Sequence, residues 1–261
     1  FSLGLFIAML ISSILIQMSA NLFNDFFDFK KGIDNINSVG KSTALLTGTL
    51  SPKLILTIAL FFVGISGLLG LYIVYYAGFI IAILGAISIS VGLLYSGGPY
   101  PISASPFGEL FSGFFMGTII IGISYFIQTN IYSLDIFLVS IPFALLIAAI
   151  LTANNIRDLN EDIAGGRRTL AIILGKEKAV IFLKSISWIA FFLIPLFIAL
   201  KILPIYSIIV FLTSIKIEKA GKIFMDNNTP KTMMPAMGLV AKNNFHFGVL
   251  LIISLIIAIL I

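Results

Sequence analysis

Two short stretches of this chain set oxygen-bearing side chains at matched spacing. "NDFFDFKKGID" (24–34) offers Asn24, Asp25, Asp28 and Asp34, and "NNIRDLNED" (154–162) offers Asn154, Asp158 and Asp162. Residues four apart share one face of an α-helix, so each Asn–Asp pair points one way, and Asp162 joins its stripe if the helix continues. In the first stretch Gly32 is expected to break the helix, so that Asp34 returns from a loop. Amide and carboxylate oxygens suit Mg²⁺, which also takes the oxygens of a substrate phosphate. Without a bound cation, so many carboxylates at one point would repel one another. Lys30, Lys31, Lys41, Arg157, Arg167 and Arg168 stand in or near the same stretches and can meet phosphate charge, arginine bidentately. The chemistry that fits is capture of a diphosphate through metal.

Apolar helices must position these groups. Hydrophobic residues make up 59% of the 261 and charged residues only 10%, with a mean hydropathy of +1.14. A soluble domain carries about 25% charge, so lipid is the main solvent here. There is no cysteine and one histidine, His246, which excludes thiolate sites and histidine clusters. Eight runs approach the roughly 20 apolar residues of a membrane span: 1–23, 54–76, 78–95, 107–127, 133–153, 179–200, 202–217 and 245–261. The reading is an all-α, polytopic membrane bundle forming a single domain over 1–261. The chain opens on Phe1 inside an apolar run, which suggests a missing upstream piece rather than a signal peptide. A tight hairpin is expected around Tyr76–Gly78, kinks at Pro142 and Pro195, and close helix packing at Gly64, Gly67, Gly70, Gly113 and Gly117.

Charge is placed on one side. The loops 24–53, 154–178 and 216–244, with Lys184 just inside a segment, hold every Lys and Arg except Lys201. By the positive-inside rule that face is cytoplasmic, and most acids share it, Asp135 being the clear exception. A diphosphate on a lipid tail suits this layout, its head at the charged face and its tail among the helices. A cation-coupled transporter is the rival class. Transporter sites lie near the bilayer midplane, whereas the middles of these segments lack acids.

Three stretches resemble the UbiA-type intramembrane aromatic prenyltransferases, and within them the branch acting on 1,4-dihydroxy-2-naphthoate: "NDFFDFKKGID" (24–34), "YSGGPYP" (95–101) with "GELF" (108–111), and "NNIRDLNEDIAGGRRTLAIILG" (154–175). The resemblance implies nine transmembrane helices around a central cavity, so the eight segments here would be the second to the ninth. It implies Mg²⁺ held by Asn24, Asp28, Asp34, Asn154, Asp158 and Asp162. It implies an allylic polyprenyl diphosphate bound by Asn24, Asn154, Arg157, Arg168 and Lys41. Asp28, Asp158, Asp162 and Tyr95 would be catalytic, with Tyr95 facing the allylic cation and Phe111 a second candidate. The acceptor would be aromatic, prenylated with loss of CO₂ in menaquinone synthesis. Other acceptors in this superfamily are 4-hydroxybenzoate, homogentisate, porphyrinoids and glycerophosphate lipids. No nucleic-acid partner is expected. Two departures stand out: Thr43 sits where relatives often carry arginine, leaving Lys41 as the candidate substitute, and the loop after Tyr95 has no cation, as in the naphthoate branch.

The remaining conspicuous residues read blandly. His246 is expected to take an interfacial or packing role, Trp188 to pack on lipid or a neighbouring helix, Tyr72, Tyr75 and Tyr76 to form an aromatic belt, and Asp25 to support the ligand set. Glu109 opens its segment as either a helix N-terminal charge or an acceptor contact.

Overall fold

The computed structural model describes residues 1–32, 43–98 and 100–261. In chain order the helices are α1 (Leu3–Lys30), α2 (Thr43–Leu46), α3 (Pro52–Ala77), α4 (Phe79–Ser96), α5 (Gly108–Gly113), α6 (Ile120–Thr129), α7 (Leu134–Arg157), α8 (Leu159–Ala164), α9 (Leu170–Leu174), α10 (Lys176–Ala199), α11 (Ile215–Asp226) and α12 (Pro230–Leu260). A π turn, Phe114–Ile119, joins α5 to α6. Among the described residues there is no strand. Side chains of Ser2, Ser51, Ser133 and Thr229 cap α1, α3, α7 and α12 by accepting from the backbone N–H three residues on. Gly78, at φ +88°, makes the one-residue hairpin between α3 and α4, a backbone state that glycine adopts without cost.

Seven helices among the described residues are long and apolar enough to cross a membrane. Only 11–39% of each apolar window is buried. Exposed Phe61, Leu68, Leu71, Phe79 and Phe192 would be untenable in water and are ordinary against acyl chains. The chain is an integral membrane protein.

The run 202–217 differs from expectation. Pro204 is extended, and Ile205–Thr213 winds as a 3₁₀ helix. Its 9 residues reach about 18 Å, short of a hydrocarbon core of about 30 Å. The chain then enters α11, whose Ile217, Ala220, Gly221 and Phe224 are buried while Lys219 and Lys222 are exposed. The last helix starts at Pro230, well before the apolar run at 245, because Lys231 and Lys242 lower hydropathy without breaking a helix.

The chain packs as two compact units. The first comprises Phe1–Ser105, Ile120–Tyr132 and Ala164–Arg167. Its heart is the α1–α3 pair. Ser12 Oγ donates to the Ser66 carbonyl (3.4 Å), Ser66 Oγ returns to the Ser12 carbonyl (3.3 Å), and Ser19 Oγ donates to the Ala59 carbonyl (2.9 Å). Between lipid-solvated helices such bonds and close contact replace the hydrophobic drive. Gly64, Gly67 and Gly70 do not serve this purpose among the described residues, where a Cβ on any of them would meet nothing within 4 Å.

The second unit comprises Pro106–Ile119, Ser133–Ile163 and Arg168–Ile261. Phe191, Phe224 and Phe247 are fully buried in its core, with Phe247 edge-on to both Phe143 and Phe191. Here small residues do bring helices together. A Cβ on Gly113 would lie 2.5 Å from the Ala144 carbonyl oxygen, and one on Gly117 would lie 2.6 Å from the Ala144 Cα. Only glycine lets α5 and the π turn lie this close to α7.

Candidate active site

In the first unit α1 runs past its apolar segment without a breaker, so Asn24, Asp25 and Asp28 ride on its last turns. It ends as expected at Gly32, whose φ is +68°. Asn24 Oδ1 accepts from Ser96 Oγ (3.3 Å) at the end of α4, one residue beyond Tyr95, whose hydroxyl is buried. The Gly-Gly turn that follows packs on the motif. Lys31 Nζ donates to the Gly98 carbonyl (3.4 Å), and a Cβ on Gly97 would press on the Phe27 ring at 3.1 Å. Asp28 is buried and ion-paired with Arg167 Nη2. Gly166, at φ +69°, turns the chain just before that arginine. Asp34 and Lys41 lie outside the described residues.

In the second unit the last turn of α7 presents Asn154, Asn155 and Arg157, and Asp158 is its C-cap. The four-residue rhythm survives the cap. The Asp158 N–H donates to the Asn154 carbonyl (3.0 Å), and the Asp162 N–H donates to the Asp158 carbonyl (2.8 Å). Asn154, Asp158 and Asp162 therefore follow one nearly continuous helical path, with both aspartates buried. The Arg157 guanidinium grips Asp158 side-on, Nε to Oδ1 and Nη2 to Oδ2, both at 2.6 Å. Its Nη2 also reaches Asn154 Oδ1 (2.7 Å), and Nη1 faces the sulfurs of Met237 (2.9 Å) and Met234 (3.3 Å). Each buried charge is offset by the other, and removing one would strand its partner.

Two pairings escape sequence reading. Arg167, not Arg168, meets the first motif; Arg168 is exposed. Glu109 is buried on α5, and its Oε1 accepts from Asn155 Nδ2 (3.0 Å). Phe111 of α5 stacks on Phe115 of the π turn, with centroids 6.1 Å apart. His246 is exposed on α12. Trp188 stacks on Phe192 and donates its indole N–H to Glu218 Oε1 (2.8 Å), while Lys184 Nζ contacts Glu218 Oε2 (2.6 Å). The Lys184 hydrogen bond, helped by that of Trp188, holds the Glu218 carboxyl below its usual range.

A profile of the UbiA prenyltransferase family matches residues 1–231. The chain belongs to the UbiA prenyltransferase family. It is accordingly an enzyme that transfers prenyl groups. Over 254 residues it is 42% identical to a Bacillus subtilis protein named 1,4-dihydroxy-2-naphthoate octaprenyltransferase, covering 97% of this chain and 82% of the relative. An Escherichia coli protein of the same name is 25% identical over 256 residues, covering 94% and 82%. Among solved structures, the apo form of a UbiA homolog from Aeropyrum pernix K1 superposes with a TM-score of 0.74 at 15% identity, covering 99% of this chain and 91% of that one. At that identity the likeness concerns the UbiA fold alone.

Proposed function

We propose that this UbiA protein transfers a polyprenyl group from an allylic diphosphate to 1,4-dihydroxy-2-naphthoate, with loss of the acceptor's carboxylate, in menaquinone synthesis. The observation that carries the chemistry is that buried aspartates of both motifs are each met by an arginine, Asp28 by Arg167 and Asp158 by Arg157. Anionic and cationic groups at the same points suit a metal diphosphate, whose two charges they answer in turn. The acceptor is argued from the 42% identity with the Bacillus subtilis enzyme.

The donor set fits Mg²⁺ by its chemistry, since Asn24, Asp28, Asn154, Asp158 and Asp162 bring amide and carboxylate oxygens, the three aspartates from buried positions. Asn24, Asp28 and Asp34 would hold it on one motif, and Asn154, Asp158 and Asp162 on the other. When bound, it supplies charge neutralisation for the departing diphosphate. Arg157, Arg167, Arg168 and Lys41 bind the remaining phosphate charge. Tyr95 faces the allylic carbon as it gains positive character. Apolar helix walls exclude water, which would otherwise capture that carbon first. The positive-inside pattern puts this chemistry on the cytoplasmic side, and the chain acts as one prenyltransferase domain.

The test is transfer in liposomes from geranylgeranyl diphosphate to 1,4-dihydroxy-2-naphthoate or 4-hydroxybenzoate, with Mg²⁺ or EDTA. Mg²⁺-dependent product from the naphthoate is expected. Product from 4-hydroxybenzoate alone would overturn the acceptor.

A further inference from the structure

The carboxylate of Glu109 is buried in the second unit with only 3% of the residue exposed. One oxygen is accounted for, because Asn155 Nδ2 donates to Oε1 at 3.0 Å. The other, Oε2, is inaccessible and has no hydrogen-bond partner among the described residues. A carboxylate kept for architecture alone would have both oxygens satisfied, since a stranded one is destabilising. Acidic residues inside a membrane protein are expensive and mark functional positions. Nor is the placement loose. Gly113 and Gly117 seat their backbone against Ala144 of α7, which fixes Glu109 one helical turn away from Gly113 against Asn155. Asn155 itself follows Asn154 and comes two residues before Arg157 of the second acidic motif.

We propose that Glu109 is a catalytic residue whose free oxygen accepts the proton of the acceptor's ring hydroxyl, with Asn155 positioning it; this rests on the aromatic-acceptor reading above. As the ring carbon beside that hydroxyl attacks the allylic carbon, the C–C bond forms from a ring π pair. The allylic C–O bond breaks and its electron pair leaves with the diphosphate. The hydroxyl O–H bond breaks, its electron pair becomes the ring carbonyl, and its proton passes to Glu109 Oε2. With a carboxylate on the attacked carbon the product is a β-keto acid. Loss of CO₂ then returns the C–C pair to the ring, and the oxygen recovers its proton from Glu109.

Glu109→Gln tests this with little change of shape. The Asn155 bond to Oε1 is kept, while an NH₂ donor replaces the accepting oxygen. Wild type and variant, in liposomes, are given geranylgeranyl diphosphate with a panel of hydroxylated arenes that includes the naphthoate, 4-hydroxybenzoate and the O-methyl ether of each. Thermal stability and prenyl diphosphate binding are measured alongside. The expected result is a kcat about 100-fold lower on whichever hydroxylated acceptor wild type uses, with stability and diphosphate affinity unchanged. The methyl ethers should react equally slowly with both proteins. A variant at wild-type kcat, or one that loses stability and diphosphate binding in parallel with kcat, overturns the role of Glu109. Wild-type product from another phenol only overturns the naphthoate reading and leaves the Glu109 comparison to be made on that phenol. A wild type that binds diphosphate but prenylates no hydroxylated arene overturns both.

Discussion

The two acidic motifs share an Asn-x-x-x-Asp spacing but are neutralised differently. Asp158 is gripped by its own neighbour, Arg157, through paired contacts at 2.6 Å. Asp28 is met by Arg167, which is 139 residues away in sequence. The second motif is therefore set by local chain geometry as α7 ends. The first waits until the Gly165–Gly166 turn delivers an arginine from the distant loop. A short-range pair forms whenever its helix does, whereas a long-range pair reports that the fold has closed. One motif is built in and the other is assembled.

Removing the carboxylates should have the largest effect and treat the motifs alike. Asp28→Ala and Asp158→Ala are each expected to lower prenyl transfer by about 1,000-fold or more, measured as product per minute at saturating diphosphate. Unequal losses would mean that one motif carries the chemistry.

The arginines should separate them. Arg157→Lys cannot reproduce the side-on grip and leaves Asp158 buried with a poorer partner, so melting in detergent should fall by several degrees. Arg157→Ala should be worse, of order 3–5 kcal/mol, because a buried carboxylate is left uncompensated. Arg167→Lys, at a side chain 11% exposed, is expected to be milder. Equal melting shifts for the two lysine variants would erase the distinction.

The glycines sharpen the contrast between the units. Gly117→Ala drives a methyl into the Ala144 backbone and should cost about 1–3 kcal/mol. Gly67→Ala meets nothing within 4 Å among the described residues and should be neutral or stabilising by up to about 1 kcal/mol through helix propensity. Thermal melting of the two variants decides the matter.

The smallest effect belongs to Glu218. Its lowered folded-state pKa gives stability that is present above the unfolded carboxylate value of about 4.3 and is lost as pH falls through the folded value. The pair is half exposed, so Glu218→Gln should cost about 0–1 kcal/mol at pH 7. That difference should shrink as pH falls below the usual carboxylate range in a melting series.

Much of this was legible in the sequence. Apolar runs located the spanning helices, and Gly32 and Gly78 located two of their ends. Runs end where charge begins, but helices do not, so α1 continued to Lys30 and α12 began at Pro230. The run 202–217 was apolar enough to span, yet its local winding was not readable from hydropathy. Spacing exposed Asn154, Asp158 and Asp162 because their geometry is helical and local. The Asp28–Arg167 and Glu109–Asn155 pairs were hidden because they join residues 139 and 46 apart, where no periodicity applies. The glycines at 64, 67 and 70 show the converse: helical spacing of small residues permits close packing but does not say that a partner is there.

The most direct measurement is Mg²⁺-dependent binding of farnesyl thiodiphosphate, a slowly reacting analogue, to wild type, Asp28→Asn and Asp158→Asn in detergent. The account predicts tight binding by wild type that EDTA abolishes, and a loss of at least about tenfold in each variant. Wild-type affinity in either variant would contradict the claim that the aspartate of that motif serves diphosphate binding.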